Sequence, residues 1–238
     1  MQVLDLTLPS LPENLALDEA LLLQAEAGAG PEVLRLWEWQ RPAVVLGSAG
    51  RLVEDVEVHA CRQDAVPIGR RASGGGTVLL ASGCLCFSLV LAYDRSPALQ
   101  DIRPSYRYIL ERLADGLAGL LPELAPAGTS DLAAGGQKFS GNSQQRKRSY
   151  LLHHGTLLYD FDLSLLSRYL RIPSRQPDYR RNRAHADFLT SLPCDARELK
   201  GRLRSAWDAT RELRAWPETL VRTLTAEKYA TAEWVHRR

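Results

Sequence analysis

The chain has 238 residues, of which 45% are hydrophobic and 24% are charged. This length and apolar content exclude a disordered chain and fit one globular domain, or at most two small ones. Thirteen prolines and 17 glycines are too few for a collagen-like or low-complexity chain, and a net charge of +2 is too small for a protein that mainly coats nucleic acid.

Helical and β-type patterns alternate along the chain. In the first half, the patterns predict a helix at 14–27, strands at 33–39 and 43–46 joined by a turn, a short helix at 56–64, an apolar run at 66–68 and a strand at 84–91. In the second half, they predict a helix at 102–121, a strand at 150–159, a helix at 163–170 with Asp162 as N-cap, a polar arginine-rich surface segment at 171–183, and helices at 197–209 and 217–228.

The short connections between predicted strands indicate the fold class. Tight turns join antiparallel neighbours, whereas parallel pairs need long crossovers. The sequence therefore predicts an α+β fold in one domain spanning 1–238, with a central mixed or antiparallel sheet flanked by helices.

Cysteine usage and the N-terminus indicate the compartment. The four cysteines form no CxxC pair and have no histidine at zinc-ligand spacing, so buried free thiols are expected. The N-terminus lacks the features of a signal peptide, and no apolar run is long enough to span a bilayer. We therefore expect a cytoplasmic protein with no membrane or nucleic-acid partner.

Three segments carry residues suited to chemistry. The first, RRASGGGTV at 70–78, joins two arginines to three glycines. Bare glycine N–H groups beside arginines can bind an anion, and we favour this interpretation over a flexible hairpin turn. The second, GGQKFSGNSQ at 135–144, places a lysine among small residues, where it is either a solvated turn residue or a cation for a phosphoryl or acyl group. The third, LLHHGTLL at 151–158, is a predicted strand in which His153 and His154 face opposite sides, which argues against a metal pair.

These segments, together with NLALDEALL at 14–22, VLRLWEW followed by PAVVLG, and HHGTLLYDFDL at 153–163, resemble the lipoate–protein ligase family. This family is part of the biotin/lipoate ligase and octanoyltransferase superfamily, and the matching stretches span most of residues 10–170. Biotin ligases are the poorer match, because their glycine loop reads GRGRxGR. The resemblance implies a class II synthetase-like catalytic domain that uses ATP and Mg²⁺ to convert lipoate into lipoyl-AMP. The lipoyl group then passes to a lysine of an acceptor: an E2 domain, a glycine-cleavage H protein or another lipoyl carrier.

The resemblance also implies roles for particular residues. Lys138 is the expected catalytic residue, contacting the lipoate carboxylate and the α-phosphate. Arg71 and the backbone of residues 76–79 would hold the nucleotide. The full set of expected binding residues is Arg70, Arg71, Ser73, Gly74, Gly75, Gly76, Thr77, Val78, Leu79, Leu17, Asp131, Ser140, Gly141, Asn142, His154, Gly155 and Thr156. Leu17 is an expected apolar wall of the acyl channel, Asp131 is the acid chosen as a Mg²⁺ ligand, and no dedicated protein metal site is expected.

The chain departs from the family pattern in three ways. Leu80 and Ala81 stand where many ligases have a His–Asp pair, which makes the expected acyl pocket more apolar. The chain stops at Arg238, so the resemblance implies the short form without a C-terminal accessory domain, whose role a separate partner protein would fill. The segment 171–183 is unusually basic, and Arg175, Arg180, Arg181 and Arg183 would steer an acidic acceptor, unless the segment is only a solvated loop.

Two other functions stay open at this stage. An octanoyl- or lipoyl-transferase would use a cysteine thioester instead of ATP. The absence of cysteine between Cys86 and Cys194 argues against it. A non-catalytic lipoyl-domain binding module would not need both Lys138 and the full glycine loop. Neither the preferred acid nor the oligomeric state follows from the sequence.

Overall fold

A computed structural model describes residues 1–237 and contains two β-sheets. The larger sheet has the strand order β11-β1-β2-β6-β10-β9-β8-β7. Its strands are β1 (Gln2–Asp5), β2 (Val33–Glu38), β6 (Cys84–Ala92), β7 (Ala125–Ala127), β8 (Asp131–Ala134), β9 (Gln137–Arg146), β10 (Tyr150–Leu158) and β11 (Arg211–Glu212). β1 runs parallel to β2 and β11, and the other pairs are antiparallel, so the sheet is mixed and the predicted α+β class is confirmed.

The smaller sheet has three strands in the order β4-β3-β5. They are β3 (Ala43–Leu46), β4 (Ile68–Arg70) and β5 (Val78–Leu80). β3 lies in the middle, parallel to β4 and antiparallel to β5. The glycine-rich stretch therefore connects two strands that are not neighbours, and it is not a hairpin turn.

The helices lie on both faces of the larger sheet. They are α1 (Leu11–Glu26), α2 (Leu52–Asp55), α3 (Val58–Gln63), α4 (Ile102–Gly116), α5 (Ser164–Tyr169), α6 (His185–Phe188), α7 (Ala196–Ala206), α8 (Glu218–Leu224), which continues into a π-turn at Thr225–Tyr229, and α9 (Ala232–Val235). None of the helices within residues 1–237 combines the length and apolar character needed to cross a membrane.

Alternation along the central strands produces two apolar cores. On β10, Leu152 and Leu158 face the core shared with α1 and the smaller sheet, whereas Leu151 and Leu157 face the core covered by α4 and α7. The smaller sheet therefore stacks on one face of the larger one, and the space between them contains the candidate site.

Helix α1 begins at Leu11, three residues before the predicted start. Ser10 is its N-cap, and Ser10 and Glu13 form a capping box, in which the Glu13 N–H donates to Ser10 Oγ and the Ser10 N–H donates to the Glu13 carboxylate. Pro12 therefore lies within the first turn, where its missing N–H costs nothing, and not ahead of the helix.

Several boundaries also differ from prediction. The strands predicted at 33–39 and 43–46 exist but lie in different sheets, so the turn between them does not make a hairpin. The predicted helix at 102–121 ends at Gly116. The N-cap of α5 is Leu163, not Asp162, although the Asp162 carboxylate accepts the Ser164 N–H.

The C-terminal segment, residues 225–237, returns to the base of the glycine-rich stretch. The Arg70 guanidinium donates to the Val235 carbonyl at 2.9 Å, and the Trp234 indole N–H donates to the Arg70 carbonyl at 2.8 Å. Lys228 pairs with Glu19 of α1 at 2.7 Å. This segment therefore ties the end of the described chain to α1 and to β4.

Candidate functional site

Two adjoining cavities open between the sheets. The first has a volume of about 160 Å³ and mostly apolar walls, including Leu15, Trp37, Val45 and Leu80. The second has a volume of about 440 Å³ and is bounded on one side by the arginine-rich segment 171–183. Both cavities share eight wall residues, so they form one continuous site: Gly76, Thr77, Val78, Ser130, Asp131, Lys138, Gly141 and Thr156.

The glycine loop, residues 73–77, carries a row of free backbone donors, and its residues 75–77 line this site. Within the described chain, the N–H groups of residues 74–77 have no hydrogen-bond acceptor. Gly75 has φ +84°, and a Cβ at Gly47 would overlap the Gly75 carbonyl, so close packing against residue 47 fixes the loop's position. Four unpaired N–H groups in succession are suited to holding an anion, which is the role predicted for this loop.

The two arginines of the motif have different environments. Arg71 lines the first cavity, and its guanidinium donates to the carbonyls of Gly74 and Gly76 at 2.6 and 2.8 Å. Arg70 is fully buried beneath the loop, where it donates to Gly47 and Gly50 as well as to Val235. Arg71 is therefore placed to meet a ligand, and Arg70 supports the loop, as expected.

Arg71 is a buried cation with no carboxylate beside it. Its side chain is nearly fully buried, and it forms no ion pair with any residue from 1 to 237. Burial lowers the pKa of Arg71 to about 10, so the residue is still cationic near neutral pH. An uncompensated buried charge is unfavourable, and an anion in the cavity would relieve it.

Lys138 enters the site from the second position of strand β9. Its Nζ lies 2.8 Å from Asp131 Oδ1, and Tyr179 donates its hydroxyl to Asp131 Oδ2 at 2.7 Å. A Cβ at Gly141 would lie only 2.7 Å from Lys138 Nζ, which explains the glycine at that position. Asp131 thus orients the lysine toward the wall that the two cavities share.

β10 contributes His154 and Thr156 to the first cavity. Gly155 between them lines the cavity with its backbone. A Cβ at this position would overlap Asn142 Oδ1, which explains the glycine. Asn142 and Ser140 are buried and hydrogen-bonded to each other at 3.1 Å. His153 is fully buried on the opposite face, so the predicted separation of the two histidines is confirmed.

Apart from Arg70 and Ser73, which support the loop, two expected site residues, Leu17 and Gly74, line neither cavity, and several wall residues were missed. Leu17 is fully buried in the core, and Leu15 and Asp18 form the α1 wall of the cavity instead. Asp18 belongs to the NLALDEALL stretch, but its role depends on contacts with β2 and β10 that are distant in sequence. Leu80 lines the first cavity and Leu79 the second. The sequence also gave no signal for Tyr179 or Trp37.

A sequence profile of the lipoyl protein ligase A/B catalytic domain matches residues 10–193. The chain belongs to this family. It is 31% identical, over 94% of each sequence, to the octanoyltransferase LipM of Carboxydothermus hydrogenoformans. It also resembles the structure of a putative lipoate protein ligase from T. acidophilum with bound lipoic acid, at 25% identity and a TM-score of 0.81 over 100% of this chain and 99% of the other. A lipoate-protein ligase A bound with ATP matches with 26% identity and a TM-score of 0.79 over 99% and 98% of the two chains.

The lipoyl ligase A/B family includes ligases and transferases, which makes the cysteines informative. All four are free; Cys61, Cys84 and Cys86 are buried, and Cys194 is partly exposed. Cys86 nevertheless lines the first cavity. Burial, reinforced by Cys84 and Asp18, raises the pKa of the Cys86 thiol well above its usual value, so the thiol form predominates.

The residues present also bear on metal binding. Within the part of the chain that the structure describes, no three His, Cys, Asp or Glu side chains cluster as metal ligands. Asp131 and Asp55 each line the second cavity, and Thr77 donates to Asp55 at 2.9 Å. Single carboxylates beside a phosphate site fit Mg²⁺, which usually keeps several waters and binds mainly to substrate phosphates.

The two neighbouring loop glycines should respond differently to alanine. Gly75→Ala would force a side chain onto a positive φ and place its Cβ 3.0 Å from the Arg71 guanidinium, whereas nothing lies within 4 Å of a Cβ at Gly74. We expect Gly75→Ala to lower the free energy of unfolding by about 1–2 kcal/mol and Gly74→Ala to change it by less than about 0.5 kcal/mol. Urea denaturation of both variants measures the difference, and equal losses would contradict this description of the loop.

Acid should destabilise the protein through His153. Burial, with a smaller contribution from His154, lowers the pKa of His153 from 6.5 to about 3. The unfolded chain therefore binds this proton below pH 6.5 while the folded protein does not, so stability is complete above pH 6.5 and falls as the pH drops toward 3. We expect a loss of up to ~1.4 kcal/mol per pH unit, measured by denaturation between pH 7 and 4.

The matched control uses the exposed His59. His153→Gln should flatten the pH dependence of unfolding, and His59→Gln should leave it unchanged. An unchanged slope in His153→Gln would show that other groups cause the acid sensitivity.

Proposed function

We propose that this protein is an ATP-dependent acyl–protein ligase that activates lipoate, or a similar short fatty acid, as an acyl-adenylate and transfers it to a lysine of an acceptor protein. The observation that carries the proposal is the convergence of Arg71, the glycine loop with its free N–H groups at residues 74–77, and Lys138 around the first cavity, with Gly76, Thr77 and Lys138 also on the wall shared with the second. Two cations and four N–H donors there suit a carboxylate meeting a phosphate.

The sizes and linings of the cavities support separate sites for the acyl chain and the nucleotide. The first is narrow and mostly apolar, which suits an acyl chain. The second is larger and has Arg171, Arg175 and Arg180 on its wall, which suits a nucleotide. The solved relatives add support, since one holds lipoic acid and another holds ATP.

The proposed reaction has two steps. A carboxylate oxygen of the acid attacks the α-phosphorus of ATP, the bond to the β-phosphate oxygen breaks, and pyrophosphate leaves. The acceptor lysine, as a free amine, then attacks the acyl carbonyl; the bond to the AMP oxygen breaks, an amide forms, and the amine loses a proton. In both steps Lys138 and Arg71 would stabilise negative charge on the phosphate oxygens.

The protein groups would perform this chemistry mainly by positioning and charge stabilisation. Asp131 would hold the Lys138 ammonium in place, and the glycine loop would fix the α-phosphate. Bound Mg²⁺ would neutralise the polyphosphate, and Asp131 and Asp55 are the carboxylates near enough to the cavity to approach it. No covalent enzyme intermediate is required.

Octanoyl transfer is the second candidate function. It is favoured by the similarity to LipM over nearly the whole chain and by the Cys86 thiol on the wall of the first cavity. The raised pKa of Cys86 counts against it, because the thiolate is the nucleophile in thioester formation.

The two functions differ in their donor and in their need for Cys86. The full chain would be supplied with lipoate, ATP, Mg²⁺ and a lipoyl-domain acceptor, and in parallel with an octanoyl-carrier protein without ATP. We expect pyrophosphate release and acceptor acylation only in the first mixture, with Cys86→Ala changing the rate less than about twofold. Synthetic lipoyl-AMP would test transfer separately from activation. Acylation only from the octanoyl-carrier protein, lost in Cys86→Ala, would assign the protein to the transferases.

The arginine-rich segment supports an acidic acceptor, but fewer arginines are available than the sequence predicted. Arg180 is buried over Phe188, and Arg183 donates to the Gly136 and Tyr179 carbonyls. Arg175 and Arg181 are exposed and have no side-chain partner among residues 1–237.

Charge reversal should therefore slow acceptor binding. We expect Arg175→Glu with Arg181→Glu to lower the association rate of an acidic lipoyl domain about tenfold at low salt and to have little effect at ~0.5 M salt, as measured by stopped-flow. The control is Arg103→Glu with Arg107→Glu, which makes the same charge change on exposed positions of α4. If both pairs of variants slow binding equally, only the net charge matters.

A further inference from the structure

A line of side-chain hydrogen bonds connects the interior of the protein to the glycine loop. The Arg35 guanidinium donates to Asp18 Oδ1 at 2.5 Å, and Asp18 Oδ2 lies 3.3 Å from His154 Nδ1. His154 Nε2 lies 2.5 Å from Ser73 Oγ, which also accepts the Arg71 Nε–H at 3.1 Å. Arg71 in turn holds the loop carbonyls.

The chemistry of each member fixes the direction of these bonds. Oδ2 of Asp18 can only accept from His154, because Arg35 holds the carboxylate ionised. A neutral His154 therefore carries its proton on Nδ1, and its bare Nε2 accepts the Ser73 hydroxyl proton. The Ser73 lone pairs then remain available for Arg71. Burial would raise the pKa of Asp18, but Arg35 and His154 outweigh burial and hold that pKa below its usual value.

We infer that Asp18 and His154 are positioning residues for the anion site, acting through Ser73 on the Arg71 guanidinium and the glycine loop. The inference rests on the proposed function only in taking Arg71 and the loop as the place where the phosphate or carboxylate binds. Asp18 and His154 also line the first cavity, where the acyl chain would bind, so the same line of hydrogen bonds connects that cavity to the glycine loop.

Burial explains why this line should matter for binding. Arg35, Asp18 and Ser73 are almost completely inaccessible to solvent, so water cannot replace a lost partner. Ser73 Oγ is the only side-chain acceptor for Arg71 among residues 1–237. If the Ser73 hydroxyl turns its proton toward Arg71, the Arg71 Nε–H loses its side-chain acceptor, and only the carbonyls of Val45, Gly74 and Gly76 still hold the guanidinium.

Asp18→Asn is the decisive substitution because Arg35 fixes its orientation. The asparagine oxygen would stay with Arg35, and its NH₂ group would face His154 Nδ1 and donate to it. His154 would then carry its proton on Nε2 and donate to Ser73, so that one hydroxyl oxygen would accept from both His154 and the Arg71 Nε–H. The variant keeps the size of the side chain while reversing the line of bonds.

Two measurements test the inference on the full chain. Long-range ¹H–¹⁵N NMR of histidine-labelled protein, with His154 assigned by its loss in His154→Gln, should show the Nδ1–H tautomer in the wild type and the Nε2–H tautomer in Asp18→Asn. Calorimetry with inorganic pyrophosphate should show about tenfold weaker binding in Asp18→Asn, which corresponds to the loss of one charge-assisted hydrogen bond. Asp64→Asn, which alters a surface pair with Arg168, should do neither.

A double-mutant comparison separates positioning from general destabilisation. Ser73→Ala should weaken pyrophosphate binding by itself, and adding Asp18→Asn should then cost less than twofold more, because the connection is already cut. Independent, multiplying losses would overturn the inference, as would the Nε2–H tautomer in the wild type. Normal pyrophosphate binding without acyl-adenylate formation would remove the proposed function and leave this inference intact. A wild-type protein that does not bind pyrophosphate would remove both.

Discussion

Replacing Lys138 with methionine should lower acyl-adenylate formation by about two to three orders of magnitude. Methionine preserves most of the volume and the flexible stem but removes the ammonium that Asp131 orients toward the wall shared by the two cavities. The lost charge acts most strongly when the phosphate oxygens gain charge, so the loss should appear in kcat more than in KM. Pyrophosphate release under saturating ATP and lipoate measures it.

The control for this variant lies on the same hairpin. Lys147 is in the turn that follows β9, remote from Lys138 at the other end of that strand, and Lys147→Met should retain nearly full activity. Thermal unfolding of both variants excludes a folding defect. Lys138→Met with wild-type kcat would mean that the ammonium plays no part in the chemical step.

Arg71→Gln should weaken ATP binding by about 10- to 100-fold, the range expected for losing charge-assisted hydrogen bonds in a buried site. The substitution removes a cation from the wall of the first cavity. Arg71 has no carboxylate partner among residues 1–237, so its charge is available to a ligand. Arg71→Lys should recover only part of the affinity. The planar guanidinium of arginine donates to Ser73 and two loop carbonyls at once, whereas a lysine ammonium cannot make all of these bonds.

Affinity and stability need separate measurements here, since Arg71 also binds loop carbonyls. Calorimetric titration with ATP and Mg²⁺ gives the first, and urea denaturation gives the second. The exposed Arg148→Gln serves as the charge-matched control. An Arg71→Gln variant that binds ATP as tightly as the wild type would contradict the role of Arg71 in anion binding beside the glycine loop.

The elements that the sequence predicted well are those with strong local patterns. Strands β6 and β10 were predicted from their apolar runs, and helix α1 from its helical composition, each within a short stretch of sequence. β9 does not, because its sequence QKFSGNSQQR is mostly polar and small. It becomes a strand because β8 and β10 pair with it on both sides and its small residues leave room for the site.

The assignment of strands to sheets was less accessible. A short turn between residues 38 and 43 suits a hairpin, yet β2 and β3 take partners from different parts of the chain. The competing long-range pairings of β3 with β4 and β5 decide the outcome, and no local signal reports them.

The same contrast between local and long-range signals applies to the residues of the candidate site. Glycine spacing and an isolated lysine among small residues were visible in the sequence, and the structure brings Arg71, residues 75–78 and Lys138 to one cavity. Asp18 meets a histidine 136 positions later, and Tyr179 meets Asp131 across 48 positions. Contacts at such separation depend on the finished fold, which explains why these partners were missed.

The bond between Arg70 and the Val235 carbonyl has a consequence for biosynthesis. It spans 165 positions, so the support beneath the glycine loop is completed only after almost all of the described chain has been translated. A nascent chain halted before Trp234 would carry β3, β4 and β5 but lack this brace. The glycine loop of an unfinished polypeptide would therefore stay without this support until residues 234 and 235 have left the ribosome.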